Sequence, residues 1–216
     1  MQRIKEEFLD KLETILPLQG KEVLEVGCGE GTRSIAIAKR CKKLAAVDPD
    51  AELIKKAQLE NQSGNIAYEV ASAEHLPFEK DMFDVVIFTL SLHHVPMDRM
   101  TNAIDEALRV VRADGFIVFL EPEFDGTLFE SEIFFDAFDG DERKQKAFAY
   151  FTMLNHPKLR EVSEIMDETI WKLDSVEDFI ESMNPKRNID QLKTFLEKNN
   201  YILRAARRIN VFQHKQ

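Results

Sequence analysis

The chemistry of this chain starts with three glycines and two carboxylates. In "VLEVGCGEGTRS", Val23 to Ser34, a short apolar run stops at Gly27, Gly29 and Gly31, and helical spacing resumes at Thr32. Glycine at a strand-to-helix turn lets the chain close tightly and lets a ligand approach the backbone, with the amides that open the next helix pointing at it. A nucleotide-type cofactor suits such a turn. A second apolar run, Leu44–Val47, ends in Asp48, 17 residues beyond Gly31. A carboxylate at that strand tip can accept hydrogen bonds from both ribose hydroxyls. Asp50 is better placed to cap the helix beginning near Ala51.

The glycine spacing is G-x-G-x-G, whereas dinucleotide sites use G-x-G-x-x-G. Glu25 precedes it. An acid there repels a pyrophosphate but suits a sulfonium or an amino group. Hydride chemistry by a Tyr-x-x-x-Lys pair is missing, since Tyr68 is followed at that distance by Ser72 and Tyr150 by Leu154. A nicotinamide oxidoreductase is therefore disfavoured.

The elements that must position these residues alternate. Glu22–Val26, Leu44–Val47, Ile66–Val70, Asp84–Phe88 and Phe116–Leu120 are short, apolar and partly β-branched. Helical patterns over Thr32–Cys41, Ala51–Glu60 and Met97–Val111 lie between them. This order predicts an α/β fold, a Rossmann-like doubly wound and mostly parallel sheet covered on both faces. Ile4, Phe8, Leu12 and Ile15 predict an amphipathic N-terminal helix. After Glu121 the pattern changes. The spacing predicts helices over Thr127–Phe138, Glu142–Leu154, Pro157–Thr169 and Val176–Met183, with no strand, so residues 121–184 form a helical cap inserted after the fifth strand of a single domain, 1–216. A helix over Ile189–Lys198 and an extended Tyr201–His214 complete it.

Composition narrows the partners. The net charge of −10 argues against nucleic acid, which needs a basic face. No apolar stretch reaches the roughly 20 residues that span a bilayer, and Glu6, Glu7 and Asp10 stand where a leader peptide would be apolar. With only Cys28 and Cys41, a cysteine-built metal site is excluded, no metal is expected, and a reducing, cytoplasmic setting fits. A homodimer is compatible with the sequence.

"VLEVGCGEGTRS", "AVDPD", "ASAEHLPF", "FDVVIFTLSLHHV" and "EALRVVRADGFIVFLEP" stand in the order and spacing of the class I S-adenosylmethionine-dependent methyltransferases. They are most similar to the small-molecule branch that includes the ubiquinone/menaquinone-type C-methyltransferases. The resemblance covers residues 21–122. It implies S-adenosylmethionine as cofactor, with Glu25, Gly27, Cys28, Gly29 and Gly31 around the methionine end, Asp48 on the ribose and Pro49 beside the adenine. Ser72, Ala73 and Glu74 stand where the family usually shows Asp-Ala-Glu, so Ser72 brings an acceptor without charge while Ala73 keeps its backbone N–H for the adenine ring. Thr89 and Leu90 would lie near the methyl group. Cys28 is read as a small buried residue, not a nucleophile.

For the acceptor side, His93 and His94 follow the fourth strand and Glu121 and Glu123 the fifth, all at the carboxyl edge where open α/β sheets bind ligands. His94 and Glu121 are the catalytic candidates. Residues 121–184 hold 10 of the 20 aromatic residues and 17 acidic against 6 basic groups. Such a cap favours a small apolar or aromatic acceptor over a polyanion. The expected function is methyl transfer to that acceptor. The alternative is a non-catalytic S-adenosylmethionine-binding protein acting as a sensor or partner subunit.

Overall fold

The computed structural model describes residues 1–60 and 63–215. Its elements in chain order are β1 (Gln2–Glu6), α1 (Phe8–Glu13), β2 (Glu22–Val26), α2 (Ser34–Ala38), β3 (Lys43–Asp48), α3 (Ala51–Glu60), β4 (Ile66–Val70), β5 (Phe83–Thr89), α4 (Met100–Val110), β6 (Val111–Pro122), α5 (Thr127–Phe135), α6 (Arg143–Asn155), β7 (Leu159–Lys172), α7 (Val176–Met183), α8 (Leu192–Lys198) and β8 (Ile202–His214). The eight strands form one sheet in the order β1-β7-β8-β6-β5-β2-β3-β4. From β4 to β6 the pairs are parallel. The β6–β8, β8–β7 and β7–β1 pairs are antiparallel.

Alternation sorts the apolar side chains of the central strands onto two faces. Leu24, Val86 and Phe88 face α4, packing with Met100, Ile104 and Ala107. Val23, Val85 and Ile87 face the other way, with Phe8 and Leu12 of α1, Ile37 of α2 and Ile54 of α3. Both faces are dry, as a doubly wound parallel sheet requires. From β2 the chain moves outward through β3 and β4, then crosses back to β5 and β6. This reversal opens a crevice at the carboxyl ends of β2 and β5, where ligands bind in such sheets. Among the described residues, no helix is long and apolar enough to cross a membrane.

Two expected helices are strands. Residues 159–169 of the expected helix Pro157–Thr169 belong to β7, so residues 121–184 are not wholly helical. The inward-facing Ser163, Asp167 and Thr169 are polar, so an apolar period of two never appears in the sequence. Their polarity is satisfied locally: the guanidinium of Arg207 on β8 donates to Asp167 at 2.9 Å, and Thr169 donates to the Lys5 carbonyl at 2.8 Å. That last bond belongs to β1, the other surprise. The expected N-terminal helix begins only at Phe8, because residues 2–6 pair with the free edge of β7 and leave Ile4 exposed. The helices α5, α6 and α7 and the C-terminal helix–strand pair stand where the pattern put them.

Arg207 and Asp167 are both buried, and each oxygen or nitrogen of the pair is out of reach of water. Arg207→Leu leaves Asp167 with Lys11, 3.1 Å from its other oxygen, as its remaining cation, and should lower the unfolding free energy by less than the roughly 3–5 kcal/mol of a fully orphaned buried charge. In urea denaturation, the double variant Asp167→Leu/Arg207→Leu should lose less than Arg207→Leu alone.

Candidate active site

The crevice holds a cavity of about 800 Å³, bounded by the glycine turn, the ends of β3, β5, β6 and β8, and α5 and α6. Gly27, Gly29 and Gly31 all have positive φ, at +77°, +54° and +79°. Their roles differ. A Cβ on Gly27 would sit 2.2 Å from the Ser91 Cβ, so this glycine admits the loop after β5. A Cβ on Gly29 would meet no protein atom within 4 Å, and Gly29 lines the cavity. Gly31 closes the turn by donating to Cys28 O at 3.0 Å and does not line the cavity.

The amides of the glycine turn itself are already engaged, Gly29 N–H on Asp48 and Gly31 N–H on Cys28 O among them. The Gly27 and Cys28 amides both donate to Val47 O, at 2.8 and 3.0 Å. α2 begins only at Ser34 and is five residues long. What the turn offers a ligand is therefore space beside Gly29, not a row of donors. Burial pushes the Cys28 thiol pKa upward, which suits a packing residue.

Glu25 lies beneath the turn with no exposed surface. Its carboxyl accepts from the Ser34 hydroxyl at 2.5 Å and from the Thr89 hydroxyl at 2.9 Å. Burial raises its pKa to about 7, against the opposing pull of those two hydroxyls. Asp48 accepts from Gly29 N–H at 2.8 Å and from Asp50 N–H at 2.9 Å, one bond to each oxygen. A carboxylate has about four acceptor sites, so each oxygen keeps one for a ligand hydroxyl. Asp50 caps α3 through Glu52 N–H at 2.8 Å. Pro49, Ser72, Ala73, Glu74, Thr89 and Leu90 line the same side of the crevice. Leu90 has φ of +59°, a left-handed conformation held by its N–H bond to Leu120 O at 2.8 Å.

A cationic cluster that no local sequence pattern announces adjoins the glycine turn. Glu6 meets Arg33, Arg207 and Arg3. These guanidiniums hold its pKa at about 2 despite burial, which alone would raise it. Arg3, Arg33 and Arg207 all line the cavity, as does Trp171. Arg3 Nε and Trp171 Nε1 are buried donors with no protein partner. Only β1 and β7, the two elements the pattern missed, bring Arg3 and Trp171 here.

The far side of the cavity is acidic and aromatic. Leu128, Phe129 and Glu132 of α5 contribute, with Phe138, Asp139, Glu142 and Lys146 around α6. Burial raises the pKa of Glu132 and of Asp139. His94 is half-exposed and faces Glu142, its Nδ1 3.4 Å from Oε1. His93 is buried, with Nδ1 2.5 Å from Glu121 Oε2. The other oxygen of Glu121 accepts from Ser91 N–H at 3.3 Å and Leu92 N–H at 3.0 Å. Glu121 thus does not line the cavity; it anchors the turn that presents both histidines. His94 lines the cavity directly.

Residues 24–119 match the family model described as "Methyltransferase domain". The ubiquinone/menaquinone biosynthesis C-methyltransferase of Rickettsia massiliae is 30% identical over 127 residues, covering 54% of this chain and 49% of that protein. A methyltransferase candidate from Bacillus halodurans superposes with a TM-score of 0.71 at 20% identity, covering 96% of this chain and 98% of the other. The N-methyltransferase NodS of Bradyrhizobium japonicum, solved with S-adenosyl-L-homocysteine, gives 0.57 at 15% identity, covering 96% and 85%. The fold is shared with these methyltransferase structures, and the cavity lies within and beside the segment that matches the methyltransferase domain. The sequence match to that domain lies within residues 24–119, and the chain spans about half the length of the curated relatives it matches. The cavity fits S-adenosylmethionine: open space beside Gly29, spare acceptor sites on Asp48 and orphan donors on Arg3 and Trp171.

Glu25 makes stability depend on pH. Its folded pKa of about 7 lies above its ordinary value of 4.5. The folded state therefore binds the extra proton between those values, and the associated stability is complete below pH 4.5 and lost as pH rises through 7. Relative to Glu25→Gln, the wild type should lose about 2–3 kcal/mol of unfolding free energy between pH 5 and pH 8, measured by urea titration without ligand.

Proposed function

We propose that the protein transfers a methyl group from S-adenosylmethionine to a small apolar or aromatic acceptor. The observation that carries this reading is the two-sided cavity at the β2/β5 crevice, with the glycine turn and Asp48 on one side and the apolar and acidic surface of α5 and α6 on the other. When bound, the cofactor supplies a methyl carbon made electrophilic by its sulfonium. The acceptor would take that methyl, the cofactor would leave as a neutral thioether, and any proton the acceptor sheds would pass to His94 or to solvent. Such a displacement is accelerated chiefly by alignment in a dry pocket.

Each side chain then has a task. Asp48 takes the ribose hydroxyls with its spare acceptor sites. Arg3 and Arg33 take the amino-acid carboxylate of the cofactor, and Glu25 counters its cationic end from below the turn. Pro49, Ser72, Ala73 and Glu74 flank the adenine. Thr89 and Leu90 border the methyl group. We assign His94 to the acceptor, and Glu121 to positioning it through His93. Leu128, Phe129 and Phe138 supply apolar contact, and the carboxylates of Glu132, Asp139 and Glu142 repel phosphorylated acceptors. The segment 121–155, with α5 and α6, forms the cap over the acceptor, and a cap that opens has lower local stability than the sheet.

Calorimetry should detect binding of S-adenosyl-L-homocysteine, with release of that product measured on a panel of quinol, phenol and aryl-amine acceptors. Asp48→Ala should weaken binding by about 1.5–3 kcal/mol, the worth of charge-assisted hydrogen bonds. Gly29→Ala should also bind poorly while staying folded, because its Cβ fills the open space. Binding of NADH and not of S-adenosyl-L-homocysteine overturns the reading. Amide exchange should be faster over Thr127–Asn155 than over β2 or β5, and should slow when S-adenosyl-L-homocysteine and an acceptor bind together.

A further inference from the structure

We propose that His93, His94 and Glu142 form a binding site for a divalent transition-metal ion at the acceptor end of the cavity. The site rests on the proposed transferase reading only for its use, not for its existence. No metal was expected from the sequence, because Glu142 stands 48 residues beyond His94. The fold brings them together, with one ligand atom from each of the three residues lying within 4.8 Å of the other two.

The argument begins at Glu121. One of its oxygens accepts two backbone N–H bonds, from Ser91 and Leu92. Its other oxygen meets His93 Nδ1 at 2.5 Å, so Nδ1 carries the hydrogen and donates it. In the neutral tautomer the lone pair of His93 then lies on Nε2. A carboxylate that orients a histidine through one ring nitrogen, leaving the other as a ligand, is the usual support of a metal-binding imidazole. Nε2 faces Glu142 Oε2 across 3.7 Å. That oxygen is buried and has no hydrogen-bond partner. Two groups able to offer electron pairs thus face each other, with the Lys146 ammonium 3.6 Å from the same Glu142 oxygen.

The spacing fits a cation between them. Zinc bonds of about 2.0–2.1 Å in a tetrahedron place neighbouring ligand atoms about 3.3–3.4 Å apart. The His94 Nδ1 to Glu142 Oε1 separation is 3.4 Å. Consecutive residues on the turn 92–94 present both imidazoles to the same carboxylate, their ring centres 4.1 Å apart. The field also favours a cation. Glu121, Glu132, Asp139 and Glu142 surround the site, and Lys146 is the single ammonium among them. Lys146 divides its charge between Glu132 at 3.5 Å and Glu142 at 3.6 Å.

Two imidazoles and a carboxylate select zinc, cobalt, nickel or ferrous iron over magnesium or calcium. Three protein ligands leave a fourth position, as in sites that act on a ligand. His94 and Glu142 line the cavity, so that position is open to the acceptor. It suits an acceptor bearing a hydroxyl, phenol or enol oxygen, which the ion would fix beside the methyl group.

The test uses the full chain, freed of metal with a chelator, and Co²⁺ or Zn²⁺ alone as probe. Equilibrium dialysis should give one ion per chain, and Co²⁺ should develop the visible bands of a four- or five-coordinate nitrogen–oxygen site. His94→Ala and Glu142→Gln should each abolish the bands. Glu121→Gln should weaken binding about 10- to 100-fold, as supporting residues do. Lys146→Met should tighten it by removing a competing charge. His94→Ala must still bind S-adenosyl-L-homocysteine, which separates loss of metal from loss of fold and from failure of the cofactor reading. A wild type that binds no ion, or an ion whose binding survives His94→Ala and Glu142→Gln, overturns the proposal.

Discussion

A buried carboxyl group, Glu25, joins the three elements on which the cavity depends. It sits on β2, accepts from Ser34 at the start of α2, and accepts from Thr89 at the end of β5. Thr89 also reaches Gly27 O at 3.3 Å, and Ser91 donates to Val26 O at 2.6 Å. The turn after β2 and the turn after β5 are thus tied at the reversal of strand order. An apolar residue at position 25 could fill the volume, but it could not fix both turns, because only a two-oxygen acceptor can hold two hydroxyls from different elements. The desolvation that burial imposes on this acid is the counterpart of a crevice with defined walls.

The crevice is divided electrically. Guanidiniums of Arg3, Arg33 and Arg207 gather beside the glycine turn. Carboxylates of Glu132, Asp139 and Glu142 gather under α5 and α6. The two clusters come from different parts of the chain: the cations from the chain ends and the glycine turn, the acids from the segment after β6. The chain's formal charge of −10 conceals this separation. Arguments from net charge speak to solubility and to large partners, while a small ligand experiences the field of a few side chains at a few ångströms.

The central parallel strands were legible because they are buried on both faces and read as apolar runs, and the edge strand β4 because it is short and partly β-branched. Glu22–Val26 and Ile66–Val70 were delimited from sequence as they occur. The position of Asp48 at a strand tip was legible because the apolar run stops there and a capped helix follows. β7 was hidden because its buried positions are polar and are satisfied by β8, a partner 40 residues away for Asp167 and Arg207. β1 was hidden because helical spacing of Ile4, Phe8 and Leu12 is local, whereas the vacant edge of β7 that captures residues 2–6 is not. The same limit applies to the site. His93, His94 and Glu121 could be picked out as polar groups at the carboxyl edge, but their division of labour rests on which atom meets which. Glu142, Arg3 and Trp171 belong to no local pattern, and topology alone delivers them.

The wall of the cavity made by Arg3, Trp171 and Arg207 is closed by opposite ends of the chain, since β1 pairs with β7 and Arg207 stands on the last strand. During synthesis the glycine turn, Asp48 and β5 emerge well before that wall can exist. Because β1 pairs with β7 and β7 with β8, the wall needs all three strands in place. Long-range closure of this kind is slow and comes late in folding. The chain therefore acquires its ligand-binding groups in two instalments, a scaffold built from neighbouring segments and a lining that waits for the final strand.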